Sequence, residues 1–317
     1  MNAPQEPAVA AAAPTLATVA GLYLDAYQGR DNTRPHRVAA WVRLLGDRPF
    51  ASLTPEDIDA AMATLAREPA RVFGGRDADG NPIFRRKSGQ RTGPTLNRYL
   101  VALGAVYAWA RRARLVPRGF ESPTRHVEKL PEHRGRVRYL SDDERTRLLA
   151  ACRESAWPRL YVLVLMALTT GARRGELLAL RWCDVSLERA EAVLHDTKNG
   201  DRRVLILLPA VCEELHRFAP RDAATSAALV FRSRLRPSQP YAMAQAFRDA
   251  LDLAGIKNFR FHDCRHTAAS YMAQHGASLL EIADTLGHRQ LRMVQRYAHL
   301  NTDSRRRLMA RVFEGKL

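Results

Sequence analysis

Residues Leu160 to Glu176 read LYVLVLMALTTGARRGE. The first ten, Leu160 to Thr169, carry no charge and are apolar on every side of a helical period, too apolar for a surface helix, so they are expected to form the core helix of a domain. Gly171 then breaks the run, and Arg173, Arg174 and Glu176 follow on a fresh turn. Taken alone, Thr170-Gly171-Ala172-Arg173 reads equally well as a glycine turn opening a helix whose arginines face solvent. Its neighbours along the chain decide between that reading and a functional one.

Downstream, Ala192-Val193-Leu194 and Val204-Leu205-Ile206-Leu207 flank Asn199-Gly200, the turn chemistry of a β-hairpin, with Lys198 beside the turn. From Pro209 onward the pattern is helical again. It carries His262-Asp263-Cys264-Arg265-His266, then Leu286-Gly287-His288, then Tyr297. His262 and Arg265 are three apart and share a face on a helix, where both could hold one phosphate; alone, they suit a surface pair as well. His266 lies four beyond His262, a spacing that also suits zinc, but there is no H-E-x-x-H and no evident third ligand, so no metal and no other cofactor is expected. Cys264 reads as small apolar filler. Tyr297, at helical spacing from Met293 and Val294, is by itself a core aromatic.

Upstream, Ser141-Asp142-Asp143-Glu144 has capping-box spacing and opens this domain, taken as 139–317 with a C-terminal tail at 302–317. The stretch 117–138 loses periodicity and gathers Pro117, Pro123 and Pro131, which marks a linker. Before it, four periodic stretches predict a small all-α domain over 15–116, preceded by a flexible tail at 1–14. Arg34, Arg37 and Arg98 lie on its expected outer faces, where they are either solvated or in contact with phosphate. An insertion at 71–93 holds Val72-Phe73, Asp79-Gly80 and Ile83-Phe84, a hairpin signal, and then the basic run Arg85-Arg86-Lys87; a DNA-reaching arm and a plain surface loop fit equally well.

Charge narrows the function class. In 317 residues, 50 Lys+Arg oppose 33 Asp+Glu for a net +17, and both halves are basic: 20 against 13 before residue 135, 30 against 20 after it. A polyanion gripped by two modules is the expected partner, and nucleic acid leads. Only five of the 50 cations are Lys, which makes the placement of Lys198 informative. Cys152, Cys183, Cys212 and Cys264 are scattered, without the spacing of a zinc ribbon or a disulfide framework. The start of the chain lacks the basic region of a secretory signal, and the longest apolar run is about half a membrane span, so a soluble cytoplasmic protein without membrane contact is expected.

In order and spacing, the polar clusters resemble those of the tyrosine recombinases, the phage-integrase family: Arg in a TGxRxGE turn, Lys on a β-hairpin, H-x-x-R, LGH, and a tyrosine nine residues beyond its histidine. The resemblance spans about 140 to 300, and the N-terminal helices resemble the family's core-binding domain more weakly. It implies a mainly α fold, an all-α core-binding domain plus a mostly helical catalytic domain with a small β-hairpin or sheet. It implies a catalytic set of Arg173, Lys198, His262, Arg265, His288 and Tyr297, with Arg174 and Arg202 as further DNA contacts. It implies a site-specific recombinase that cleaves and rejoins duplex DNA through a 3′-phosphotyrosyl intermediate, in integration, excision or resolution.

In that scheme Arg173 and Arg265 clamp the phosphate, His262 takes the tyrosine proton, Lys198 protonates the leaving 5′ oxygen and His288 completes the phosphate's hydrogen bonds. Glu176 orients its neighbours. The partners implied are duplex DNA, a homotetramer on two DNA sites with the C-terminal segment docking onto a neighbour or folding back, and room for an accessory directionality protein. The rival readings are a type IB topoisomerase-like enzyme or resolvase, and a non-cleaving, sequence-specific DNA-binding protein on the same fold.

Overall fold

The computed structural model describes residues 13–29, 31–76, 82–132, 138–195, 202–222 and 226–314. The chain divides into two compact units, Met1–Arg134 and Gly135–Leu317. In the first, α1 (Leu16–Asp25), α2 (Arg34–Leu45), α3 (Pro55–Arg67) and α4 (Gly93–Arg112) surround one apolar core. Each start has a local cause. Thr15 accepts the Thr18 N–H ahead of α1, and Thr54 and Asp57 form a reciprocal capping box at α3, which also has Pro55 in its first turn. Trp41 is fully buried and spends its one donor on the Tyr99 carbonyl at 2.9 Å. Tyr107 stacks on Phe50 with ring centroids 4.2 Å apart and donates to the Phe50 carbonyl at 3.2 Å.

Between α3 and α4 the chain forms an antiparallel hairpin of β1 (Pro69–Arg76) and β2 (Pro82–Gln90). Its Asp79-Gly80 turn lies outside the described residues. Beyond α4, the stretch expected to be a linker is tied to the first unit for much of its length. Val127 is buried in that core, and the Asn97 amide both donates to the Leu130 carbonyl at 2.8 Å and accepts its N–H at 2.9 Å. Three prolines remove helical periodicity without removing packing.

The second unit is built on α6 (Leu160–Thr170), which is buried on nearly all sides as its composition requires. Around it lie α5 (Asp142–Arg153), opened by the Ser141/Glu144 capping box, α7 (Arg174–Ala179), α8 (Pro209–His216), α9 (Ala244–Leu253), α10 (Asp263–Gln274) and α11 (Leu279–Leu286). A three-stranded antiparallel sheet in the order β3 (Val185–Ser186), β4 (Glu191–Leu194), β5 (Arg203–Ile206) flanks them. Two 3-10 turns, Leu291–Met293 and Gln295–Asn301, lead into α12 (Thr302–Phe313). The architecture is the expected one, mainly helical with a small sheet. Among the described residues no helix is long and apolar enough to cross a membrane.

Helix α6 packs against α10, and it stops because Gly171 adopts φ +61, a left-handed conformation that a side chain resists. A Cβ at Gly171 would also stand 2.3 Å from a Leu286 methyl and 3.4 Å from the Ala268 Cβ. Gly171→Ala is therefore expected to destabilise the protein by about 2 kcal/mol or more, combining a left-handed penalty of about 1–2 kcal/mol with overpacking. Urea unfolding reads this directly, and a change below about 0.5 kcal/mol would contradict the close approach of Gly171 to Leu286.

Candidate active site

Arg265 sits in the first turn of α10 and is only 4% exposed. Its guanidinium donates from Nη1 to the Gly171 carbonyl at 2.8 Å and from Nη2 to the Leu286 carbonyl at 2.7 Å. Both acceptors lie at helix C-termini, where carbonyls lack intrahelical donors and carry the negative end of the helix dipole. These bonds use two of the five guanidinium N–H groups. After Leu286 the chain turns through Gly287 at φ +66, and the His288 N–H returns to the Ala283 carbonyl at 2.8 Å, which fixes His288 beside the cluster.

Glu176 is the shared counter-charge. Its side chain is 5% exposed; Oε1 accepts from Arg173 Nη1 at 2.6 Å, and Oε2 accepts from the Arg173 backbone N–H at 2.8 Å and from Arg203 Nη2 at 3.0 Å. As the third residue of α7 it reaches back to the N–H ahead of the helix, a capping role that also locks the arginine turn. Arg203, at the start of β5, donates to the Thr285 carbonyl at 2.7 Å as well, so one side chain ties the sheet to α7 and α11.

Positive charge is crowded here. Burial, then Arg173 and Arg203, pull the Arg265 guanidinium down to about 9. Burial, then Arg265 and Arg173, hold the His288 imidazole near 4, and burial followed by Arg265 lowers His262. In this cluster Arg203 Nε and His288 Nδ1 are buried without a hydrogen-bond partner among the described residues. An oxyanion entering this space would relieve the repulsion and could supply the missing acceptors.

Tyr297 lies on the Gln295–Asn301 turn, 2% exposed, in a small cluster with Ala269, Ile282, Leu286 and Val294. Its hydroxyl is hydrogen-bonded to His266 Nδ1 on α10. The His266 ring stands 5.4 Å from that of His262, edge to face. Burial above all, with His262 next, holds His266 near 4, and burial raises the Tyr297 phenol against the pull of Arg296 and Arg265. At neutral pH the imidazole is therefore neutral and the phenol protonated, and in the tautomer with its proton on Nε2 the phenol donates and Nδ1 accepts.

Of the six residues singled out by sequence, Arg173, His262, Arg265, His288 and Tyr297 gather around this cluster, while Lys198 lies outside the described residues. Arg98, Arg174 and Arg202 are exposed. Arg34 and Arg37, expected on an open outer face, are each turned to Asp31, at 3.6 and 2.9 Å, and Arg34 also donates to the Tyr23 hydroxyl at 3.2 Å. An acid just ahead of α2 captured them. Arg85, Arg86 and Lys87 run along β2, and their side chains lie outside the description.

Sequence reasoning passed over Arg203 and His266. Strand alternation could have found the first, since residues 203, 205 and 207 share a face and Leu205 and Leu207 are buried, which turns Arg203 inward and Arg202 outward. The second was signalled by its position one helical turn beyond His262. Among the described residues no three His, Cys, Asp or Glu side chains converge as metal ligands.

The chain belongs to the phage integrase family, whose profile matches residues 138–304. Among its relatives, the integrase of Salmonella phage P22 is 31% identical over 186 residues, covering 55% of this chain and 47% of that protein. The shufflon-specific DNA recombinase of Escherichia coli is 32% identical over 229 residues, covering 70% and 56%. The chain spans about half the length of the curated relatives it matches. In fold it is similar to the Tn1549 transposon integrase in complex with a circular intermediate DNA, at TM-score 0.66 and 17% identity over 94% of this chain and 99% of that one. It is also similar to a lambda integrase dimer bound to a core site, at TM-score 0.64 and 17% identity over 91% and 96%.

Glu176→Gln keeps the shape of the side chain and removes its charge, leaving Arg203 buried beside an amide. It is expected to lower stability by about 3 kcal/mol, the scale for breaking a buried ion pair. Urea unfolding at pH 7 measures this, and a loss under about 1 kcal/mol would mean that the two arginines do not depend on the carboxylate.

Proposed function

We propose that the protein is a site-specific DNA recombinase that cleaves and rejoins duplex DNA through a 3′-phosphotyrosyl intermediate. The observation that carries this reading is the buried Tyr297 hydroxyl, held by an unprotonated histidine on the same helix that presents Arg265 to a crowded guanidinium cluster. A phosphodiester repels nucleophiles and gathers further negative charge as it is attacked, and bidentate guanidinium groups answer both difficulties. Arg173 and Arg265 clamp the non-bridging oxygens, with His288 Nε2 or Nδ1 completing their hydrogen bonds. Tyr297 Oη attacks phosphorus, the P–O5′ bond breaks, and Lys198 protonates the departing 5′ oxygen. His262 lies at the family's proton-acceptor position. The ester stores the energy of the broken bond, so rejoining runs the same steps backwards without ATP.

The net +17 supports duplex DNA as the partner and, with it, work in the cytoplasm. Arg174 and Arg202 of the second unit and Arg98 of the first, the proposed core-binding domain, are exposed and suited to phosphate contact, and the basic run Arg85-Arg86-Lys87 adds charge to the first unit. Exchange of strands needs four protomers on two sites. Met309, Val312 and Phe313 of α12 are exposed and give a neighbour an apolar face to cover.

Tyr297→Phe removes the nucleophilic oxygen and keeps the ring's packing. On a nicked suicide duplex taken from DNA flanking the gene, it is expected to bind normally and form no covalent adduct, while the wild type accumulates one. Binding without adduct by the wild type would instead establish the non-cleaving reading.

Lys198→Ala is expected to slow cleavage of ordinary DNA by about 10²–10⁴-fold, the usual range for a lost general acid. Replacing the bridging 5′ oxygen with sulfur gives a leaving group that needs no proton. It should restore most of the Lys198→Ala rate and leave an Arg173→Ala defect in place; equal rescue of both variants would remove Lys198 from the proton-donor role.

A further inference from the structure

We infer that His266 is a catalytic residue of the cleavage step, the immediate acceptor of the Tyr297 proton. This rests on the recombinase reading above and changes its proton path, since His262 is the family's acceptor position. The geometry separates the two histidines. His266 Nδ1 is hydrogen-bonded to Tyr297 Oη, whereas His262, just ahead of α10, stands near perpendicular to the His266 ring at 5.4 Å between centroids. Attack is most easily assisted by the base already bonded to the nucleophile, because that proton moves without rearrangement.

The surroundings keep His266 neutral, and the tautomer with its proton on Nε2 leaves Nδ1 free to accept. His262, Asp263 and Arg265 act on it from its own helix, and Arg296 acts from the turn that carries Tyr297. Helix α6, packed on the other side, brings only Tyr161, which lies against Arg153, and on α11 Glu281 is engaged with the Ser278 cap while Asp284 acts on Arg203. As Oη bonds to phosphorus the phenol becomes more acidic, and the anionic phosphate offsets the arginines that disfavour an imidazolium. The O–H bond of Tyr297 breaks, its proton passes to Nδ1, Oη–P forms and P–O5′ breaks with a proton from Lys198. Rejoining returns each proton to its source.

The decisive variant is His266→Asn, whose amide oxygen can occupy the Nδ1 position and accept the phenol's hydrogen bond but cannot take its proton. In single-turnover cleavage of the nicked duplex at pH 7, His266→Asn is expected to be about 10²–10³-fold slower than wild type with unchanged DNA affinity. The deficit should shrink as pH rises toward ionisation of the phenol, and a bridging 5′ sulfur should not repair it. A rate within a few-fold of wild type, a pH-independent deficit, sulfur rescue, or faster cleavage, as expected if the bond merely restrains Tyr297, would each overturn the assignment. Independently of this variant's folding, the ¹⁵N resonance of His266 Nδ1 should shift between wild type and Tyr297→Phe as the hydrogen bond is lost, and an unmoved resonance would equally overturn it. Absence of adduct with the wild type is a different failure, one of the recombinase reading itself.

Discussion

A guanidinium cannot be buried at 4% exposure without oxygen atoms to replace its water, and the burial of Arg265 constrains the rest of the second unit. Its two acceptors are carbonyls at the ends of α6 and α11, so both helices must stop at the same place and aim their unpaired carbonyls inward. Stopping there requires a left-handed residue at each end, which Gly171 and Gly287 provide. Close approach of the two helices adds a second demand, since Gly171 faces Leu286, and Gly287 lies against the Arg203 side chain, which a Cβ would meet at 3.1 Å. Arg173 and His288 follow these glycines by one or two residues and are delivered to the same space. The TGxR and LGH patterns are thus two helix terminations solvated by one arginine.

Glu176 performs a complementary task. It is the carboxylate that both Arg173 and Arg203 reach, and it satisfies the Arg173 N–H just ahead of α7, so removing it would free a helix start and a strand start together. One carboxylate does not neutralise the guanidiniums gathered on it and beside it; burial is the first cause that lowers Arg265, Arg203, His262 and His288, and the neighbouring arginines add to it. In a purely structural ion network the charges would close on one another and few buried nitrogens would lack partners. Here the imbalance and the two orphaned nitrogens face one region, as a site for an oxyanion requires.

Much of this was legible in the sequence because it rests on local rules. Leu160–Thr169 had no polar face, Ser141 and Thr54 stood three residues ahead of acids, and Asn199-Gly200 separated two apolar runs that became β4 and β5. What stayed hidden depended on partners distant in sequence. Nothing local shows that Asn97 will clasp the backbone of Leu130 and draw a proline-rich stretch onto the first unit. The pairing of Arg34 and Arg37 with Asp31 was hidden for another reason: a count of charge does not say which arginines are already spent. Arg203 was missed because the alternation of its strand was not applied, which turns it inward beside Glu176 and leaves Arg202 on the exposed face. His266 was set aside with the zinc spacing, although four residues on a helix place it on the same face as His262 whatever the ligand.

The resting electrostatics have one further consequence on the proposed reading. Each titratable group at the nucleophile is biased against charge: burial raises the Tyr297 phenol and lowers His266, so neither a phenolate nor an imidazolium is favoured in the empty site. The two forms would have to appear together, as the products of one proton transfer, and without a phosphate the buried phenolate has the His266 imidazolium alone to hold its charge and no phosphorus to bond. An incoming phosphodiester changes both sides of that transfer. Its negative charge raises the affinity of the neighbouring imidazoles for protons, and the forming Oη–P bond removes the phenolate as a free species. The arginines that suppress an imidazolium in the empty site are the groups a phosphate would neutralise. Substrate binding and activation of the nucleophile are then one electrostatic event, and the protein needs no separate device to keep a reactive tyrosine silent away from DNA.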